Sequence, residues 1–382
     1  MPDSSGATVF DDLPEWLVVD EILLRLPPKD VLRCRAVRRS WRSGTSTDKF
    51  ILDHHRRQPS LPIIEHQKGI CRLPVPSGAG DKKIRPFVRY TPVTRIDVMH
   101  HGACDGLLIL SLQHHFYICN PATHRCASLP RPPLRPGIGS VSVVAFYRHP
   151  TSGEHRVLWA VYSIGLMSLA VVEPPDYFVL AVGSDQPRLI QWPIVSEQGY
   201  PAAESSICPP VHHRGSLHWA MGRSITVFDT VAETFHQMSR PAQLGDMVSL
   251  LDMGGALALS STTREFVTLD VWVLQDYDAQ TWGFQYRINL RAMVAAPPLN
   301  LRADFVPRMV AIDERELLIQ KGWRLFCCDI DGKFLGNVEI EEHENYLTLT
   351  KHRLQESMIS LPLFERQEQA AVNNVPPFLI VL

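Results

Sequence analysis

A small all-α module followed by a large all-β domain, a β-propeller of six or seven blades, is the architecture that three features of the chain predict. Helical periodicity is confined to residues 11–56, short apolar strands alternate with turn residues from residue 60 onward, and one three-strand phrase recurs along that stretch. The implied divisions are a disordered N-terminus over 1–10, the helical module over 11–56, the β domain over 60–365 and a C-terminal tail over 366–382.

The helical module is carried by "LPEWLVVDEILLRLPPKDVLRCRAVRRSW", Leu13 to Trp41. Set at about 100° per residue, Glu15 to Leu26 forms one helix with Leu13 as its lead-in. Trp16, Val19, Ile22, Leu23 and Leu26 fall on one face, Leu13, Leu17 and Leu24 on a second, and the polar stripe of Glu21 and Arg25 is narrow. A helix apolar on two sides is buried on two sides. Pro27 and Pro28 stop this helix, Asp30 can cap the next, and "SGTST" from Ser43 breaks the pattern again. The second helix is short and basic, with Lys29, Arg33, Arg35, Arg38, Arg39 and Arg42 between its apolar residues, so it cannot cover both faces. Two or three helices in about 45 residues bury too little surface to stand alone. A docking strip for another protein is the consequence. "DKFILDHHRRQPS" continues as a short helix up to the Gln58-Pro59 break and makes a stiff joint.

In the β domain, "GLLILSLQHHFYICNPATHRCASLP" reads as strands Leu107 to Leu112, Phe116 to Cys119 and Arg125 to Leu129 separated by turns. The same grammar returns from Gly215, Gly255 and Glu316, each time with the second strand leading to Asp or Asn. Two further strand pairs, "VSVVAFYRHPTSGEHRVLWAVY" and "YFVLAVGSDQPRLIQWP", lie between the first two copies. Antiparallel units at intervals of roughly 40 to 60 residues point to a propeller, in which a ring hides most strand edges. Closure is expected from a late strand, "YLTLTK" or "ESMISLPLF", pairing with "SLPIIEH".

With 38 basic and 40 acidic residues and a net charge of −2, the chain is not read as a nucleic-acid or membrane-surface binder. The opening "MPDSSGATVFDD" is polar and acidic, unlike a signal peptide, and no apolar run is long enough to span a bilayer. A cytoplasmic or nuclear protein is expected. The 8 cysteines show no CxxC pair, which predicts free thiols and no disulfides.

These residues carry a resemblance. Leu13, Pro14, Glu21, Ile22, Leu23, Arg25, Leu26, Pro27, Val31 to Arg35, Val37, Ser40 and Trp41 match the F-box pattern as they stand, with basic Arg38 as a departure. "CDGLLIL", "NPATH", "DTVAETF", "LDVWVLQDYDAQTW" and "YRINL" resemble the F-box-associated domain of plant F-box proteins. The resemblance implies a substrate-recognition subunit of a Skp/cullin/F-box ubiquitin ligase, with the β domain holding an unknown target. It assigns Leu13, Pro14, Leu17, Ile22, Leu23, Leu26, Pro27, Leu32, Val37 and Trp41 to the module and its docking face for the Skp adaptor, with Trp41 as a filler of the small core. No catalytic residue is needed: the chain contributes proximity between a target and the charged conjugating enzyme.

Rival readings are an enzyme, or a protein- or carbohydrate-binding scaffold outside any ligase. The pairs His54/His55, His100/His101, His114/His115 and His212/His213 could suggest a metal, but adjacent residues of a strand point to opposite faces. "PGIGSVS" lacks the last glycine of a dinucleotide fingerprint, "CDIDG" lacks the later ligands of a calcium loop, and Asp276/Asp278 and Glu341/Glu342 read as exposed turn acids. No cofactor, metal, nucleic acid or membrane partner is expected.

Overall fold

The computed structural model describes residues 13–66, 69–72, 84–90, 98–134, 139–163, 174–191, 209–245, 247–263, 267–290, 308–313, 315–321, 324–338, 347–369 and 378–380. Glu341/Glu342, Pro136 to Ile138 of "PGIGSVS" and the 1–10 segment lie outside these residues.

The first helical segment opens as a π-helical turn over Leu17–Ile22, where the Leu23 N–H donates to the Val18 carbonyl, and tightens to a 3₁₀ turn over Leu23–Arg25. That wider winding departs from 100° per residue. Val18 therefore turns inward at 2% exposure while Trp16, read on the same face as Val19 and Leu23, stands 62% exposed. Helix α1 spans Pro28–Val37, with proline at its first position, where the missing N–H costs nothing. Helix α2 spans Arg39–Thr45 and α3 spans Asp48–Arg57. The expected break at "SGTST" comes later than read, because Thr45 is held: its hydroxyl donates to the Trp41 carbonyl at 2.7 Å, and Arg35 donates to the Thr45 carbonyl at 2.6 Å. Thr47 then caps α3 by accepting the Phe50 N–H.

Among the described residues the strands fall into six sheets, the blades of a propeller. Blade 1 combines β1 (Ser60–His66), β2 (Gly69–Arg72) and β3 (Arg85–Tyr90) with two strands from the other end of the chain. Blade 2 is β4 (Val98–Cys104), β5 (Leu107–Leu112), β6 (His115–Asn120) and β7 (Arg125–Leu129). Blade 3 is β8 (Gly139–Arg148), β9 (His155–Ser163), β10 (Asp176–Ala181) and β11 (Arg188–Ile190), so the two extra strand pairs make one blade. Blade 4 is β12 (Val211–His213), β13 (Ser216–Met221), β14 (Ser224–Asp229) and β15 (Thr234–Met238). Blade 5 is β16 (Met247–Met253), β17 (Ala256–Thr262), β18 (Thr268–Asp276) and β19 (Thr281–Asn289). Blade 6 is β20 (Arg308–Ala311), β21 (Glu316–Lys321), β22 (Arg324–Asp329) and β23 (Phe334–Asn337).

Two kinds of turn repeat. The first hairpins of blades 2, 4 and 5 turn on Asp105-Gly106, Arg214-Gly215 and Gly254-Gly255, all with positive φ. These are primed two-residue turns, whose twist matches the strands they join. After the third strand, the side chains of Asn120, Asp229, Asp276 and Asp329 each accept two N–H groups of the following turn. The turn acids thus have a structural task.

Strand β24 (Leu347–Gln355) lies inside blade 1 and pairs antiparallel with β1, Leu61 opposite Leu354 and Ile64 opposite Leu349, as the "SLPIIEH" and "YLTLTK" pairing anticipates. "ESMISLPLF" is no strand: it becomes a loop and helix α4 (Pro362–Gln369), with Leu361, Leu363 and Phe364 filling the core between blades 2 and 3. Strand β25 (Phe378–Ile380), in the stretch expected as a tail, pairs with β3. Apolar clusters fill every gap between successive blades around the ring. Within β5, Leu107 and Ile109 face blade 3 while Leu108 and Leu110 face blade 1, so the strand is apolar throughout. Cys119 and Cys126, expected as free thiols, are directly opposite in the β6–β7 register and form a disulfide; pairing distance between strands carries no spacing motif.

Candidate partner-docking surface

The helical module closes a core of Val18, Val19, Leu23, Leu24, Val31, Trp41 and Phe50, and one residue of the β domain, Met358, completes it. Of the residues assigned by sequence, Leu23 and Trp41 are inside. Leu13, Leu17, Ile22, Leu26 and Leu32 are half-buried, and Pro14, Pro27 and Val37 are exposed, Val37 at 68%. Apolar area therefore remains at the surface after the module has packed on itself and on the propeller. Trp16 adds to it. Arg38, the departure from the pattern, places its guanidinium over the Trp41 ring at 5.4 Å, a cation–π contact.

The joint to the propeller is built by the segment after β24 together with residues of the "CDG" and "NPATH" motifs. Gln355 donates to the carbonyls of His55 and Gln58 at 2.9 Å each, tying the end of α3 to the end of β24. Asn120 of "NPATH" donates to the carbonyls of Ser357 and Ile359 at 3.1 and 2.9 Å. Ser357 donates to the Asp105 carbonyl of "CDG" at 2.5 Å. A side chain at Gly106 would lie 2.5 Å from the Ser357 oxygen and 2.7 Å from its nitrogen, and its φ is +78°, so only glycine fits the turn against this strap.

The propeller's inner strands β24, β4, β8, β12, β16 and β20 border the central channel. A cavity of about 220 Å³ there is lined by Cys104, Asp105, Tyr147, Arg148, His212 and His352, among others. The histidine pairs do not converge on one point. His100 meets His352 edge to face at 4.7 Å, whereas His101 bonds Ser111 at 2.7 Å. Burial pushes His101 down to about 4 and His352 to about 3, so both rings are neutral at physiological pH. His54 and His55 separate likewise: His54 Nε2 lies 2.8 Å from the Leu26 carbonyl, while His55 faces the strap.

Residues 82–307, more than half of the sequence, match the family described as F-box associated beta propeller domain. The chain belongs to this family. Curated relatives to which the chain is similar include three Arabidopsis thaliana proteins. An F-box/LRR-repeat protein is 26% identical over 74% of this chain and 68% of its own length. An F-box protein is 25% identical over 69% of this chain and 67% of its own length. Another F-box protein is 24% identical over 78% of this chain and 84% of its own length. Among the described residues of this F-box associated propeller, no helix is long and apolar enough to cross a membrane.

Proposed function

We propose that the chain is the substrate-recognition subunit of a Skp/cullin/F-box ubiquitin ligase, acting in the cytoplasm or nucleus without catalysis of its own. The single observation that carries this reading is the apolar surface left on the helical module: Trp16 and Val37 are exposed, as are Pro14 and Pro27, and Leu13, Leu17, Ile22, Leu26 and Leu32 are half-buried. The Skp adaptor covers that surface, cullin joins through the adaptor, and the propeller holds the target. Relatives named as F-box proteins support the assignment of the module. The work of the chain is then positional: tethering raises the effective concentration of target lysines at the conjugating enzyme.

Adaptor pull-down with the full-length chain tests this. Val37→Asp changes a side chain outside the module core and Leu17→Asp one at its border, so both variants keep the propeller's melting transition. Each sets a charge against an apolar interface, at a cost of about 3 kcal/mol, which is more than a hundredfold in affinity. Undiminished capture of adaptor and cullin by both folded variants sinks the assignment.

A further inference from the structure

Where α3 meets blades 2 and 3, Cys104, Asp105 and His155 of the propeller cluster together, and a fourth side chain, from α3, approaches one of them. Cys104 Sγ, an Asp105 carboxylate oxygen and a ring nitrogen of His155 all lie within 4.8 Å of one another, and His155 Nε2 is 3.1 Å from Asp105 Oδ2. His55 reaches in from α3, its Nε2 at 3.6 Å from Asp105 Oδ1. The other nitrogen of that ring, Nδ1, is 3.1 Å from the Glu356 carbonyl oxygen. A carbonyl only accepts, so Nδ1 carries the hydrogen, and in the neutral ring Nε2 then presents a lone pair to a carboxylate oxygen. Two acceptors face each other at a distance too long for a hydrogen bond. A positive centre between them removes the conflict.

We propose that Cys104, Asp105 and His155 bind a divalent transition-metal ion of the zinc class and that His55 closes in as its fourth ligand, which fastens the helical module to the propeller. One thiolate, one carboxylate and two imidazoles make a four-ligand set suited to that ion. With nitrogen and oxygen each about 2.0–2.1 Å from a tetrahedral metal, they stand roughly 3.4 Å apart, near the spacing of His55 and Asp105. The bond from His55 Nδ1 to a backbone carbonyl is the outer contact that aims a ligating Nε2 at its metal. Cys104 and Asp105 also line the channel cavity of about 220 Å³, which supplies an entry path. On binding, the Cys104 thiol releases its proton to solvent and its sulfur lone pair goes to the metal, while the hydrogen that His155 Nε2 donates to Asp105 moves to Nδ1, which frees the Nε2 lone pair. Arg148 opposes the ion: its Nε donates to the Gly153 carbonyl at 3.1 Å and lies 3.8 Å from Asp105 Oδ2. The ligands are scattered over residues 55 to 155, which is why no sequence motif marks them.

The test uses the purified full-length chain, stripped with a chelator and titrated with zinc chloride or cobalt chloride. One zinc per chain is expected, with a higher melting temperature on repletion. Cobalt should give the visible bands of a tetrahedral site and a near-ultraviolet thiolate charge-transfer band. Cys104→Ser should remove the charge-transfer band, and Cys104→Ser and His55→Gln should each weaken zinc at least about tenfold. Arg148→Gln should tighten it. Zinc below stoichiometry in the wild-type chain, or affinity unchanged in Cys104→Ser and His55→Gln, overturns the proposal. So does a metal-free joint that strengthens toward acid and loses that dependence in His55→Gln, because a protonated His55 would then be the positive centre.

Discussion

Asn120 accepts the N–H groups of Ala122 and Thr123 through Oδ1 and donates to the carbonyls of Ser357 and Ile359 through Nδ2. Asp229, at the matching place in blade 4, makes only the accepting half. An amide is required at the first position and a carboxylate suffices at the second. Asn120→Asp keeps the turn but loses two donors and buries a charge, so it should destabilise by roughly 2–4 kcal/mol in denaturant titration. Asp229→Asn should change stability by less than about 0.5 kcal/mol; equal effects would contradict this division of roles. Glu65 gives a second residue-scale prediction. Burial raises its carboxyl to about 7, against the opposing effects of the His100 N–H and the Arg308 charge. Between the ordinary carboxylate value near 4.3 and about 7, the folded chain holds a proton that the unfolded chain releases, so stability falls as pH rises through this window. Glu65→Gln should therefore raise stability by on the order of 1–3 kcal/mol at pH 8 and leave it unchanged at pH 4. A gain of equal size at both values would assign the effect to packing. Residue identity was legible where a local bond decides it, as at the turn acids. It was not legible at Trp16 and Val18, whose facing depends on the π-helical winding, nor at Met358, which reaches the module core from the far end of the chain.

Glycine opens three of the four repeated phrases read in the sequence, because Gly106, Gly215 and Gly255 are the second residues of primed hairpin turns. Strands β5 and β7 follow the sequence reading to the residue, since each is bounded by turn chemistry. Elements without such punctuation were misread: Leu361 to Phe364 are apolar enough for a strand, yet fill a gap between blades from a loop and a helix. The closing strand is the element on which the ring depends. A chain ending before Asn345 lacks β24, leaving the β1 edge unpaired and Ile64 without Leu347 and Leu349 beside it. Such a product should aggregate or be cleaved rapidly by protease. Cooperative melting at the full-length temperature would show that closure does not depend on β24.

The helical module and the propeller share one strap, residues 355–361, and one buried methionine, Met358. Helical module and propeller are accordingly held in a fixed relation rather than joined by a loose tether. A fragment starting at Ser60 uncovers Met358, so Met358→Gln is added to keep it in solution. It retains the propeller, should compete with the full-length chain for the target and should prolong the target's lifetime in a chase experiment. Failure of the folded fragment to hold any partner of the full-length chain would place recognition partly on the helical side. The fixed relation also has a history in time. The Thr350 hydroxyl donates to the Ile63 carbonyl, two residues 287 positions apart. At about 5–20 residues per second a ribosome needs some tens of seconds to deliver the second after the first. Throughout that interval the first strand waits with an open edge, and the helical module waits for its methionine. A nascent chain is thus incomplete at both ends until its last strand emerges. Chaperones that shield apolar edges are expected to stay engaged through that interval, and a premature stop codon ahead of Met358 damages the beginning of the chain as well as its end.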